Sequence, residues 1–171
     1  MARFFITLSY NGKNYVGWQI QPNGLSVQEK LQYALSTILR SEVEVVGAGR
    51  TDAGVHASKM IAHFDWVGDP FSSEDLVFKL NSFLPKDIAI FSINEVKPDA
   101  HARFSAISRT YKYYITTEKD PFHHELTYRV NFIPDIDKMN ALCPLLIQTK
   151  DFTSFSKLHT DVKTNICSIE Y

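Results

Sequence analysis

Strand-forming residues cluster in short stretches at the start of the chain and again in its middle. Residues 4–10 are rich in strand formers and end at Asn11 and Gly12, a pair typical of tight turns. Apolar and β-branched stretches predict further strands at residues 43–46, 59–66 and 88–96. Residues 128–133 and the stretch near 167–171 are additional strand candidates.

Apolar residues recur at helical spacing in two stretches between these strands. Ser26 and Glu29 have the spacing of a capping box, which predicts a helix over residues 26–40. A second helix is predicted to begin at Ser72 or Ser73 and to end before Pro85. The positions expected to face a sheet are Val27, Leu31, Ala34, Leu35, Ile38 and Leu39 in the first helix, and Leu76, Leu80, Phe83 and Leu84 in the second.

A third helix is predicted over residues 135–149, with Ile136, Met139, Leu142 and Leu146 as its buried stripe. Pro144 lies inside this helix and is expected to kink it or divide it into two pieces. Helices packed on one face of mostly antiparallel strands give an α+β fold. No internal repeat, low-complexity tract or flexible linker interrupts the pattern.

The segment between the strands at 43–46 and 59–66 holds three glycines, an arginine, an aspartate and a histidine. A loop of this composition between two strands is typical of a segment that holds functional side chains in place. A glycine-rich hairpin in which Asp52 only caps its own turn amides would have the same composition. Composition therefore leaves a functional and a purely structural interpretation open.

Residue spacing in this loop argues against three common ligand sites. Gly47 and Gly49 are followed at the next motif position by Asp52, and no Gly-Lys-Ser/Thr string occurs, so dinucleotide and P-loop motifs fail. Asp52, His56 and His63 have the composition of a metal site, but their spacing matches no familiar metal pattern. We therefore expect no metal and no nucleotide cofactor.

Composition is that of a globular protein, with 44% apolar and 22% charged residues among 171. No run of about 18 apolar residues is present, so no membrane-spanning helix is expected. The first residues lead directly into a strand pattern without an export signal, and Cys143 and Cys167 have no paired spacing. A cytoplasmic protein with two reduced thiols is predicted.

Charge is unevenly distributed along a chain whose net charge is only −1. Residues 65–75 contain four acidic and no basic side chains, whereas residues 100–117 contain Arg103, Arg109 and Lys112 and no acidic ones. A local basic patch can bind phosphate although the net charge is near zero. A solvated surface would show the same two runs.

The string Gly-Arg-Thr-Asp-Ala-Gly-Val-His at residues 49–56 resembles the catalytic loop of the tRNA pseudouridine synthase A family. The resemblance implies that Asp52 is the catalytic residue and that Arg50 helps to push the target base out of the RNA helix. Trp18, in an aromatic-Gly-Trp-Gln cluster that also resembles the family, is expected to be structural.

Three later strings, at residues 101–106, 108–115 and 151–155, resemble strings of the same family in the same order. By position, Tyr111 is expected to stack on the target uracil, and residues 151–155 resemble the string that opens the second half of the family's fold. The resemblance implies that two segments bind RNA, and their residues are Ala100, His101, Ala102, Arg103 and Phe104, and His159, Thr160, Asp161, Val162 and Lys163.

The resemblance implies an isomerase that converts uridines of the tRNA anticodon stem-loop to pseudouridine, as a homodimer and without cofactors. It divides the chain into a subdomain with the catalytic loop, residues 1–105, and the incomplete start of a second subdomain, residues 106–171. Family members are longer, and their remaining part supplies an arginine that pairs with the catalytic aspartate. We therefore expect the chain to be truncated. A non-catalytic RNA-binding module and a metal-dependent hydrolase are the two alternatives.

Overall fold

A computed structural model describes residues 1–156 and 164–171, which form two compact units, 1–111 and 112–171. The first unit contains strand β1 (Ala2–Tyr10), helix α1 (Val27–Leu39), strands β2 (Val46–Gly47) and β3 (Ala57–Trp66), helix α2 (Ser73–Phe83) and strand β4 (Ile88–Val96). The second unit contains strands β5 (Ile115–Thr116) and β6 (Tyr128–Arg129) and helix α3 (Ile136–Gln148).

The first unit is built on a four-stranded antiparallel sheet in the order β2-β3-β1-β4. Strand β1 is central, since it pairs along its length with β3 on one side and β4 on the other. The predicted α+β fold with a mostly antiparallel sheet is confirmed. In the second unit β5 and β6 form only a short parallel pair.

Both helices of the first unit start at the predicted serine caps. The Ser26 hydroxyl accepts a hydrogen bond from the Glu29 amide at 3.1 Å, and the Ser72 hydroxyl accepts one from the Asp75 amide at 3.2 Å. One core joins both helices to alternate residues of the three long strands, and these include Ile6, Leu8, Met60, Ala62, Phe64, Ile88 and Ile90. Phe83, predicted on the buried face of α2, is 46% exposed beside Tyr33.

The two faces of the sheet have different roles. Across the β1–β3 ladder, Ile6 pairs with Ala62 on the face that packs against the helices. The neighbouring pairs, Phe5 with His63 and Arg3 with Asp65, therefore lie on the opposite face, because successive side chains of a strand alternate. His63 is nevertheless buried there, so something other than the helices covers this face.

Residues 43–45 do not form the predicted strand. Val43 and Val45 are buried, but their backbone amides donate to the side chains of Ser36 and Gln32, and the Val45 carbonyl accepts from Gln28. Side chains of α1 thus form the hydrogen bonds with these backbone groups that a neighbouring strand would form in a sheet. The alternating valines indicated burial correctly but not the hydrogen-bond partner.

The second unit departs further from the predictions. Helix α3 begins at its Asp135 cap and runs through Pro144, but Ile136, Met139, Leu142 and Leu146 are all exposed, so the predicted buried stripe is wrong. The strand predicted at 128–133 is only two residues long, and the chain end has only an isolated bridge between Asp151 and Ile166. No described helix is long and apolar enough to cross a membrane.

Candidate active site

The loop that carries Asp52 connects β2 to β3, and we call residues 48–56 the Asp52 loop. It rests on residues 10–18, which begin at the last residue of β1 and which we call the docking segment. In the docking segment a short 3-10 turn, Gly12–Asn14, is capped by Asn11 and leads toward Trp18. A central strand thus ends where the loop is held.

Four hydrogen bonds fasten the Asp52 loop to the docking segment. The hydroxyls of Tyr10 and Thr51 lie 2.9 Å apart, and the Trp18 amide donates to the Thr51 carbonyl at 3.2 Å. The remaining two bonds are from the Gly12 amide to His56 Nδ1 at 3.1 Å and from the Gly54 amide to the Tyr15 carbonyl at 3.2 Å. The loop is therefore held on both sides of Asp52.

Close backbone contact explains the glycine and the tryptophan of the docking segment. Gly17 has φ +119°, and a methyl group on its Cα would overlap the Thr51 carbonyl oxygen. The Trp18 ring is 2% exposed and packs where a side chain on Gly47 would stand. Trp18 therefore supports the base of the loop, in agreement with its predicted structural role.

Asp52 is an exposed residue of this fastened loop, two residues after the exposed Arg50. The side chain of Thr51, between them, is half-buried and points to Tyr10. A carboxylate in this position is open to a ligand while its backbone is fixed. The arrangement suits a group that acts as a base or nucleophile on a bound substrate.

Residues 100–105, which we call the Arg103 turn, cover the sheet face that lacks helices. Arg3 donates to both Asp65 carboxylate oxygens at 2.7 and 2.8 Å and to the Ala100 carbonyl at 2.9 Å. The amide of Ala102 donates to His63 Nδ1 at 3.2 Å, and Ala102 is 3% exposed. The turn is therefore attached to β1 and β3 through polar side chains.

The exposed part of the Arg103 turn combines a cation with aromatic rings. The amides of Arg103 and Phe104 donate to His101 Nδ1 at 3.1 and 3.4 Å, and the Arg103 guanidinium lies 5.6 Å from the Phe104 ring centre. Phe104 is 76% exposed, whereas Ala102 faces the protein interior. Arg103, Phe104 and His101 can thus contact a ligand directly, and Ala102 supports them.

Tyr111 lies near Tyr10, and the Tyr10 hydroxyl contacts Thr51 of the Asp52 loop. Burial raises the pKa of Tyr10, the Thr51 hydroxyl opposes this, and the nearby Tyr111 adds to the increase in pKa. Tyr111 itself is 79% exposed. Its ring is therefore open to stacking close to the loop that carries Asp52.

Arg109, which the sequence analysis placed only in a basic run that could bind phosphate, connects the loop and the turn. Nη2 of Arg109 donates to the Ala48 carbonyl and to the Arg103 carbonyl, each at 2.8 Å. The basic run at residues 100–117 was the signal in the sequence, and it indicated a phosphate contact rather than a bridge between two backbone carbonyls.

His63 takes part in this arrangement as a neutral acceptor. Burial lowers the pKa of His63 to about 4, and the Arg3 guanidinium and the His101 ring act in the same direction, against a smaller effect of Asp65. A neutral ring keeps the Nδ1 lone pair that the Ala102 amide requires. Protonation at Nδ1 would break this attachment.

Acid should therefore destabilise the wild-type chain more than His63→Asn, whose side-chain oxygen can replace Nδ1 as the acceptor. Between pH 6.5 and about 4 the unfolded His63 binds a proton and the folded one does not, so stability is lost as pH falls through this window. The extra loss should be roughly 1–3 kcal/mol. Urea unfolding at several pH values measures it, and parallel pH profiles would contradict the assignment.

The other predicted residues are placed as follows. The segment from His159 to Lys163 lies outside the described residues, so its predicted RNA contacts stay a prediction. Within the described part of the chain no three His, Cys, Asp or Glu side chains are grouped to hold a metal. His56 and His63 each use Nδ1 to accept a backbone hydrogen bond, which does not favour the metal-site alternative.

Comparisons with known proteins match the chain to one family. A family model described as tRNA pseudouridine synthase matches residues 6–105. A protein of Parabacteroides distasonis is 60% identical over the whole chain and one of Bacteroides fragilis is 59% identical over 99% of it. A more distant relative from Limosilactobacillus reuteri is 39% identical over 99%. All three are named tRNA pseudouridine synthase A, and the chain covers 68%, 67% and 68% of their lengths.

Proposed function

The chain belongs to the tRNA pseudouridine synthase family, and we propose that it converts uridine to pseudouridine in tRNA with Asp52 as the catalytic residue. One observation carries the proposal. The Asp52 loop is fastened to the docking segment on both sides of Asp52, and the carboxylate is left exposed. A catalytic group needs this combination of fixed position and access.

The proposed reaction is an isomerisation of the nucleoside. The bond between C1′ of the ribose and N1 of uracil breaks, the base turns, and a new bond forms between C1′ and C5. The hydrogen on C5 leaves and N1 gains one, so atoms and electrons balance without an oxidant or a phosphate donor. Asp52 would act as the nucleophile or base beside the sugar and the uracil ring.

The target uridine must leave the RNA stack before it can reach Asp52. This step costs roughly a few kcal/mol, and stacking of the uracil on the Tyr111 ring would return about 1–3 kcal/mol. Arg50, two residues from Asp52, would occupy the space that the base leaves. Arg103 would bind phosphate beside it, supported by the cation–aromatic pair with Phe104.

The substrate we propose is the anticodon stem-loop of tRNA, bound by a cytoplasmic homodimer. The relatives' names specify tRNA but no position within it, so the stem-loop rests on the resemblance of residues 49–56 and 100–111 to the family's strings. His101, Arg103, Phe104 and Tyr111 supply the cation and the aromatic rings that single-stranded loop recognition requires. The predicted contacts of the 159–163 segment would extend the same surface.

Release of tritium from C5 tests the proposal directly. The protein is incubated with an anticodon stem-loop that contains 5-tritiated uridine, and pseudouridine is measured in parallel by nucleoside chromatography. We expect tritium release and pseudouridine in equal amounts, because forming the new carbon–carbon bond expels the C5 hydrogen. A stem-loop whose loop and adjacent uridines are replaced by cytidine serves as the control.

The same assay separates the alternatives. Binding of the stem-loop without tritium release would identify a non-catalytic RNA-binding module and would overturn the proposed activity. Cleavage of the RNA strand or loss of the base would indicate a hydrolase. Release from other tRNA regions but not from the stem-loop would retain the activity and reject the proposed substrate.

Tritium release should continue unchanged in EDTA. The isomerisation requires no Lewis acid, and the Nδ1 atoms of His56 and His63 are already occupied by backbone amides. Rates are compared before and after chelation, and thermal melting confirms that the stem-loop stays folded without divalent ions. Loss of activity that returns on adding zinc or magnesium would favour the hydrolase alternative.

A further inference from the structure

We infer that Arg109 is a positioning residue that sets the distance between the Asp52 loop and the Arg103 turn. The inference rests on the proposed function for its catalytic consequence. Its structural basis is a single nitrogen, Nη2, that donates to the Ala48 carbonyl and to the Arg103 carbonyl, each at 2.8 Å. The two acceptor residues are 55 positions apart in the sequence.

Both acceptors lie next to residues that act on the RNA in the proposed function. Ala48 is the first residue of the Asp52 loop, and its amide donates to the Ile61 carbonyl of β3 at 2.8 Å. Arg103 is the proposed phosphate-binding residue, on a turn that Arg3 and His63 attach to the sheet. Arg109 spans the gap between the two segments by contacting their backbones, so its effect does not depend on their side chains.

The chemistry of the bridge favours arginine at this position. The two hydrogens of Nη2 point in fixed directions in the guanidinium plane, so each carbonyl receives one. The Nε atom of Arg109 also lies close to Gly49. A Cβ atom added to Gly49 would be 3.6 Å from this Nε, which is ordinary van der Waals contact. A lysine ammonium would keep the charge, but its shorter side chain and freely rotating hydrogens do not reproduce the planar bridge.

Arg109 could instead bind an RNA phosphate, and the two roles predict different results. A phosphate contact contributes to affinity and to the salt dependence of binding, and a lysine would preserve most of it. A positioning bridge contributes to the rate of the chemical step, because displacement of a catalytic group by about 1 Å can cost on the order of 10²-fold. Its loss would leave the affinity for RNA nearly unchanged.

The experiment compares the Arg109→Met and Arg109→Lys variants with the wild-type protein. We expect kcat to fall about 10- to 100-fold in both variants, with Kd for the stem-loop within about twofold and an unchanged slope of log K against log salt concentration. Lys79→Gln, which removes one exposed charge from helix α2, is the matched control and should behave as wild type.

A second measurement does not depend on activity. Amide hydrogen exchange should be several-fold faster in the Asp52 loop and the Arg103 turn of Arg109→Met, and unchanged in helix α2. If wild type makes no pseudouridine, the proposed function fails, and exchange still decides whether Arg109 joins the two segments. Unchanged exchange in both segments, or a weakened Kd with a reduced salt slope that lysine restores, would overturn the inference.

Discussion

Replacing Asp52 by asparagine is expected to lower pseudouridine formation on the order of 10³-fold or more, with stem-loop binding within about twofold of wild type. Asparagine keeps the size and shape of the side chain but removes the charge needed for a nucleophile or base. The loop itself should stay in place, because Thr51, Gly54 and His56 fasten it through bonds that do not involve the Asp52 side chain. Single-turnover tritium release measures the chemical step.

Asp69→Asn is the matched control for this substitution. It removes an exposed carboxylate from the connection between β3 and α2, outside the proposed site. We expect it to bind and react as wild type does. Turnover by Asp52→Asn within tenfold of the control would show that another group performs the chemistry, even if the family activity is present.

The sequence was informative wherever the hydrophobic pattern determines which side chains are buried. Strand β4 has the predicted bounds, and helices α1 and α2 begin at the predicted serine caps. The exposed stripe of α3 shows the limit of this reasoning, because an apolar face indicates that a partner is needed but not where the partner is. No described element of the second unit covers that face.

The candidate site was predictable only in part, for a different reason. Asp52 belongs to a contiguous string, so a resemblance could point to it. Arg109 and His63 act through hydrogen bonds to backbone carbonyls and amides of distant segments, and such bonds leave no residue-type pattern in the sequence. The strand predicted at residues 43–45 was wrong for the same reason. Side chains of helix α1 form hydrogen bonds with the backbone there, and the sequence does not show such bonds.

Alanine at Gly17 should have the second largest effect, since it acts on the backbone that holds Asp52. The residue has φ +119°, where a side chain is strained by about 1–3 kcal/mol. Its methyl group would also overlap the Thr51 carbonyl, which adds roughly another 1–3 kcal/mol or moves the loop. We expect a total loss of about 2–6 kcal/mol in the free energy of unfolding and a fall in kcat of about 10²-fold.

Gly54→Ala separates the two contributions, because Gly54 also has a positive φ, +77°, but nothing within 4 Å of the added methyl group. Its cost should be limited to backbone strain, about 1–2 kcal/mol. Urea unfolding of both variants gives a difference that contains the overlap with Thr51 together with any extra backbone strain at φ +119°. Tritium release by Gly17→Ala, measured where the variant is fully folded, reports on Asp52. Equal destabilisation by the two alanines, with full turnover by Gly17→Ala, would show that the docking segment does not hold Asp52 in place.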